Sequence, residues 1–527
     1  MLKRTIIIAF LTNSLLSGCF AQNTLQKQYA QLITEQSASD HLHIIASDEF
    51  EGRETGKEGI EKAAQYIAGE FKKLGLTAPV NGAYFQPVPL AENKFQVNTF
   101  RIGNHDLESG VDFYIINAEN NEHIQDEELI FIGYGISDKH YDDLKDIDIS
   151  GKVVLLINTD EPTNNNGVSA ITGTTEKSSW ATSRNKRIQH IIGKGPKLIL
   201  AVSPETETLL ERVRKAGSTG KMQIKEDIAT QDTAKEQTAT VAYITPKTAN
   251  LILKTTGKSY QDLKTQIDST GKPSTKQVKV NVDTQFGTQI VDVKARNVLG
   301  YLEGTDLKDE LLVITAHYDH IGVNAGGQIN NGADDDGSGV TGVLEIAKAF
   351  TKAKQDGNGP RRSILFMTVT GEEKGLLGSD YYARYPVFPL AQTVANLNID
   401  MIGRIDPPHA NNKNYVYLVG SDKLSSTLHQ ISEQANRDNT QLTLDYKYND
   451  PDDPERIYYR SDHYNFAKNG IPVVFYFNGV HEDYHDIGDT VDKIDFEMLT
   501  KRAQLVFYTA WDLVNRDQRP VVDSNKK

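Results

Sequence analysis

The sequence predicts an α/β fold, a sheet with helices on both faces, interrupted by a separate, mainly β module. Beyond residue 277, short apolar runs of strand length alternate with helical periodicity, the pattern of an α/β sheet domain. Nearer the start, Ile60, Ala63, Ala64, Ile67, Phe71 and Leu74 recur at helical spacing with Gly75 as a stop, which describes an amphipathic helix covering a sheet. Between these regions the texture changes. From Val111 to Lys276, β-like runs (Leu129 to Ile132, Val153 to Ile157, Leu198 to Val202) are separated by polar stretches such as Asn164-Asn165-Asn166. The expected organisation is a first part over 36–110, an insertion over 111–276, a second part over 277–515 and a free polar tail over 516–527.

At the start, Lys3 and Arg4 precede an apolar run from Ile6 to Leu16, which reads as a secretory signal peptide over residues 1–18. That run is too short to span a bilayer as a helix, and no later segment approaches ~20 uninterrupted apolar residues. Export is expected. Leu16-Ser17-Gly18-Cys19 matches a bacterial lipobox, so a lipid on Cys19 would anchor the chain to a membrane facing the periplasm or the cell exterior. An ordinary cleavage before Gln22 is the rival. Cys19 is the only cysteine of the 527 residues, which excludes an intramolecular disulfide and, in the rest of the chain, a thiolate nucleophile or a cysteine zinc site. With 57 Lys plus Arg against 71 Asp plus Glu, the net charge of −14 argues against nucleic acid as a partner.

In the second part the expected strands are Val278 to Val282, Asn297 to Leu302, Leu311 to Thr315, Ser363 to Thr368, Thr393 to Ile399 and Pro472 to Phe477, with a helix over Val340 to Phe350. Histidines and carboxylates gather at the ends of these strands, where open α/β sheets place ligand sites. His317 ends one strand, with Asp319 two residues on to accept its other ring N–H. Gly332-Ala333-Asp334-Asp335-Asp336-Gly337-Ser338-Gly339 packs three carboxylates into a loop before a helix, and these repel unless a helix N-terminus and a divalent cation compensate. Glu372-Glu373 offers one carboxylate for metal and one for proton transfer, Asp400 follows a strand, and His485 lies in Tyr484-His485-Asp486. Two histidines and three carboxylates from five segments suit a pair of zinc ions sharing one bridging carboxylate.

These blocks resemble the co-catalytic double-zinc peptidases, the family of bacterial aminopeptidases and glutamate carboxypeptidases. The likeness runs in family order through Ala316-His317-Tyr318-Asp319, Gly332-Ala333-Asp334-Asp335-Asp336, Gly371-Glu372-Glu373-Lys374-Gly375, Asn398-Ile399-Asp400-Met401 and Tyr484-His485 with Asp489-Thr490. The resemblance implies a mixed central sheet flanked by helices, the zinc exopeptidase fold. It implies two zinc ions per chain, one bound by His317 and Asp400, the other by Glu373 and His485, with Asp335 between them. Glu372 would be the general base, Asp319 the orienter of His317 and Tyr484 a donor to the oxyanion. Ile130-Phe131-Ile132-Gly133-Tyr134-Gly135-Ile136 and Asp148-Ile149-Ser150-Gly151-Lys152-Val153-Val154 resemble a protease-associated domain, expected over 111–276. Ser461-Asp462-His463 also matches a recurring family segment and is given no metal role.

The expected function is therefore an exported zinc exopeptidase acting on peptides, an aminopeptidase first. A carboxypeptidase and a non-catalytic binding ectodomain are the alternatives, and the single-zinc glutaminyl cyclases are disfavoured by the complete ligand set. Two other metal patterns are set aside. His481-Glu482-Asp483-Tyr484-His485 satisfies H-E-x-x-H but has no helical run around it. Asp334, Asp336, Ser338, Gly339 and Glu345 fit an EF-hand loop without its entering helix, and Glu345 is expected to face solvent or make a local polar contact. His43, His105, His123, His140, His190, His409 and His429 have no ligand spacing around them.

Overall fold

Strands and helices alternate along the chain as their apolar spacing demands, in a computed structural model that describes residues 24–116, 121–216, 220–230 and 239–523. The signal-peptide and Cys19 readings lie outside the described residues. No helix among the described residues is long and apolar enough to cross a membrane. The described residues form two compact units, one from 24–90, 223–225 and 292–523, the other from those within 91–222 and 226–291.

The first unit contains helices α1 (Glu35–Ile45), α2 (Glu58–Leu74), α3 (Gly339–Gln355), α4 (Leu377–Arg384), α5 (Ser426–Ala435) and α6 (Phe496–Asn515). Its strands are the end of β1 (Lys276–Leu302), then β2 (Leu307–His317), β3 (Arg362–Val369), β4 (Thr393–Ile399), β5 (Tyr415–Val419), β6 (Thr443–Asp445) and β7 (Val473–Phe477). They line up in the order β6-β5-β7-β4-β2-β3-β1. The central pairs β3/β2, β2/β4 and β4/β7 are parallel, with Val313 opposite Leu365 and Asn396, while β1/β3 and β5/β7 are antiparallel. The sheet is thus mixed, and its parallel centre brings the carboxyl ends of β2, β3 and β4 to one edge.

Alternation decides what each face buries. Leu312, Ile314, Phe366 and Leu397 face a layer containing Ile67 and Phe71 of α2, Val343 and Phe350 of α3, and Val506 and Phe507 of α6. Leu311, Val313, Leu365 and Met367 face the other way, onto Tyr382, Phe466 and Ile471. Helix α2 ends as its sequence dictates, at Gly75 in the left-handed region (φ 78°).

Residues after α6 are fastened, contrary to the expected free tail. Arg361 pairs with Asp517, Arg362 donates to the Asp517 carbonyl, and Arg519 donates to the carbonyls of Ala391 and Thr393. A polar sequence is not a loose one when buried or half-buried guanidinium groups need acceptors.

The second unit departs from the mainly β expectation. Strands Glu122–Phe131, Val153–Ile157, Leu198–Val202 and Thr240–Ile244 are joined by parallel pairings, and helices Arg184–Ile192 and Thr206–Ala216 lie between them in the chain. Parallel neighbours require crossovers, and two of the three here carry helices. The strands were legible as apolar runs; their direction was not.

Candidate metal and catalytic site

Strand β2 delivers His317 into the interior, 1% exposed. Its backbone N–H donates to Asp336 Oδ2 (3.1 Å), and Nδ1 lies 3.1 Å from the carbonyl oxygen of Asp319. A carbonyl only accepts, so Nδ1 carries a hydrogen and turns Nε2 toward the carboxylates. Nε2 faces Asp335 Oδ1 (3.2 Å), Asp400 Oδ1 (3.6 Å) and Glu372 Oε2 (4.0 Å). The expectation for Asp319 is corrected in one respect: its backbone carbonyl orients His317, while its carboxylate stands 3.8 Å from the ring. That carboxylate instead accepts from Thr55 Oγ1 and from the backbone N–H groups of Glu372 and Glu373, fixing the turn that carries both glutamates.

The three consecutive aspartates have different partners. Asp334 Oδ1 accepts from Gly403 N and Ser338 Oγ, and Asp336 accepts from Met401 N, Gly339 N and His317 N. Asp335 receives no backbone donor on its carboxylate; Oδ1 faces His317 and Oδ2 faces His485 Nε2 at 3.2 Å. Of the three it alone keeps both oxygens for imidazoles or cations. The EF-hand reading fails on the same grounds, since Asp336 and Oδ1 of Asp334 are taken up by N–H and O–H donors and Oδ2 of Asp334 faces His481. Glu345 is also not solvent-facing: fully buried on α3, it accepts from Ser37 Oγ (2.7 Å) and Lys348 Nζ (2.6 Å).

Glu373 Oε2 lies 3.0 Å from His485 Nε2, and its Oε1 lies 2.9 Å from His320 Nδ1. Asp400, at the end of β4, turns Oδ2 to Ser461 Oγ (2.6 Å); Ser461 in turn accepts from Asn398 Nδ2, whose Oδ1 accepts from Thr315 Oγ1. The Ser461-Asp462-His463 segment therefore serves the site through its serine. His485 comes from a loop, at φ 56°, stacked on Tyr484 at 3.9 Å between ring centroids. The H-E-x-x-H stretch is not helical, and His481 meets Asp334 at 3.4 Å, away from His485.

Electrostatics separate the roles. Burial pushes the Glu372 carboxyl well above its ordinary range; His317 opposes this, while Glu373, Asp400 and Asp462 add to it. Burial works against a charged His485, but hydrogen bonds to Asp335 and Glu373 outweigh it and push the ring to about 10. Burial, reinforced by Asp335 and Glu373, raises the Tyr484 phenol, which stays protonated and able to donate.

Two residues outside the sequence reading complete the site. Arg53, fully buried, donates to the carbonyls of Tyr318, Ile45, Asn331 and Gly332, tying the His317 loop to the aspartate loop. Nothing in its spacing marks it; the one signal was an arginine beside glycine in Glu51-Gly52-Arg53, placed before an amphipathic helix. His320 was visible as a second histidine three residues after His317.

Donor atoms of His317, Asp336 and Asp400, and of His320, Asp335 and Glu373, lie within 4.8 Å of one another. Asp336 already accepts from three N–H groups, whereas Asp335 accepts from none, which favours the sets His317/Asp335/Asp400 and His485/Asp335/Glu373. Ligands at ~2.05 Å around a tetrahedral zinc stand ~3.3 Å apart. The separations of 3.2 and 3.6 Å in the first set and 3.0 and 3.2 Å in the second match that edge. The nitrogen and carboxylate donor set fits zinc. Beside it opens a small cleft whose apolar lining is Met401, Ile457, Phe475, Phe477 and Val480.

Residues 297–510 match the profile of peptidase family M28. Aminopeptidase YwaD of Bacillus subtilis is 25% identical over 238 residues, 43% of this chain and 46% of that one. A probable leucine aminopeptidase of Arthroderma otae is 29% identical over 211 residues, 39% of this chain and 54% of that one. The chain spans about half the length of these curated relatives. Among solved structures, an aminopeptidase from Aneurinibacillus sp. strain AM-1 aligns over 94% of this chain and 98% of its own, at 18% identity and a TM-score of 0.51. A zinc aminopeptidase from Bacillus subtilis gives 94%, 99%, 16% and 0.51. At such identities what is shared is the fold.

Proposed function

We propose that this M28 peptidase is an exported dizinc aminopeptidase that removes apolar residues from the N-termini of peptides. One observation carries the reading: Asp335, alone of three adjacent aspartates, has its two oxygens directed at His317 and His485, with Glu372 at the same pocket. His317 and Asp400 would hold one zinc and Glu373 and His485 the other, with Asp335 shared. When bound, the pair supplies a polarised substrate carbonyl and a water of lowered pKa.

The chain's own residues do the rest. Glu372 takes a proton from the attacking water and returns it to the leaving amine, a task suited to a buried carboxyl with a raised pKa. The Tyr484 phenol donates to the oxyanion. The apolar wall formed by Met401, Ile457, Phe475, Phe477 and Val480 suits an apolar first side chain. The names of the relatives support an aminopeptidase. Lys3, Arg4, the apolar run and Cys19 support export and a lipid anchor.

A carboxypeptidase has one observation in its favour. Arg460 lines the pocket with Nη2 3.4 Å from the Tyr484 hydroxyl, a cation that a terminal carboxylate would use. Paired peptides decide between the readings. Cleavage of a free-amine peptide but not its N-acetylated twin is expected; cleavage that ignores acetylation and needs a free C-terminus would overturn the assignment.

A further inference from the structure

His320 is fully buried, with its backbone N–H on the Arg53 carbonyl at 3.2 Å. Its ring is fitted against Gly332, where a Cβ would stand 2.6 Å from ring carbons, so the loop geometry keeps the imidazole in place. Nδ1 is 2.9 Å from Glu373 Oε1 and 3.6 Å from Asp335 Oδ2, whereas Nε2 has no hydrogen-bond partner among the described residues. A hydrogen on Nδ1 satisfies the carboxylate and leaves one orphan lone pair. The opposite tautomer would set two acceptors 2.9 Å apart and orphan a buried N–H, the costlier arrangement.

The oxygens of Glu373 are therefore divided: Oε1 accepts from His320, and Oε2 faces His485 at 3.0 Å. We propose that His320 is a positioning residue that confines Glu373 to a single oxygen toward the metal and thereby biases that side of the centre toward zinc. The inference rests on the dizinc reading. A glutamate free to turn both oxygens inward would chelate and raise the coordination number, which suits manganese and other six-coordinate ions better than four-coordinate zinc.

The test uses His320→Asn, whose amide keeps an N–H near the place of Nδ1, and His320→Leu, which has none. Where the leucine variant fails to fold, His320→Gln replaces it, because its amide reaches toward the Nε2 position instead. Zinc and manganese stoichiometry and affinity are measured by competition with a chelator on metal-stripped full-length protein. Wild type and His320→Asn are expected to bind two zinc alike. In His320→Leu or His320→Gln one of the two zinc affinities should fall about 10–100-fold, with manganese gaining relative to zinc. Two undisturbed zinc sites and an unchanged metal preference in those variants would overturn the proposal. A loss in His320→Asn equal to that in His320→Leu would overturn it in favour of His320 as a ligand itself. Fewer than two zinc in the wild type would instead overturn the dizinc reading beneath it.

Discussion

The two sides of the proposed zinc centre pair one imidazole and one unshared carboxylate each, yet they are held differently. On the first side, His317 ends a central strand, its ring is turned by the Asp319 carbonyl, and Asp400 is braced through Ser461, Asn398 and Thr315. On the second, His485 stands on a loop with its side chain 38% exposed, and Glu373 leans on His320. A ligand set built on adjacent strand ends is arranged before metal arrives. One completed by a loop pays part of its ordering on binding, so the second side is expected to be the weaker.

Glu372 belongs to neither side, and its replacement has the largest expected effect. Glu372→Gln should lower kcat about 10²–10⁴-fold while zinc content stays at the wild-type level. Unchanged turnover would remove the general base, and lost zinc would make Glu372 a ligand. Asp335→Asn should empty both sides together, whereas His317→Ala and His485→Ala should each deplete one; equal depletion by all three would mean that the sides are not separable.

Smaller effects probe the braces. Ser461→Ala should weaken one zinc site about 10–100-fold, and kinetic chelation should show that this is the slowly released ion. If the faster phase changes, the bracing has been placed on the wrong side. The wall behind Ser461 is read in stability instead of turnover or metal. His463 is fully buried without a polar side-chain partner, and burial holds it neutral down to about 3. The unfolded chain takes up that proton near the ordinary 6.5 while the native one does not, so this histidine costs about 1.4 kcal/mol of stability per pH unit as pH falls from 6.5 toward 3. Burial raises neighbouring Asp462 to about 7, which gives the opposite slope, stability falling as pH rises toward 7. Denaturation of His463→Phe against wild type at each pH isolates the histidine term; parallel pH profiles would contradict it.

Legibility followed the same division. Residues at strand ends, such as His317, Glu372, Glu373 and Asp400, could be read because alternation and length place a strand and its exit follows. The mixed sheet was expected only through the family likeness, and strand direction in the second unit was missed because pairing is set by neighbours far along the chain. Arg53 escaped because it acts on carbonyls contributed by Ile45, Tyr318, Asn331 and Gly332, which no spacing reveals. Among the three aspartates, the family likeness singled out Asp335, and the donors on Asp334 and Asp336 give the physical reason.

Anomalous diffraction at the zinc edge from crystals of the zinc-loaded protein tests the central claim most directly. Two peaks about 3.5 Å apart should flank the Asp335 carboxylate, one beside His317 and Asp400 and the other beside Glu373 and His485. A single peak, or a peak seated on Asp336, would contradict the account.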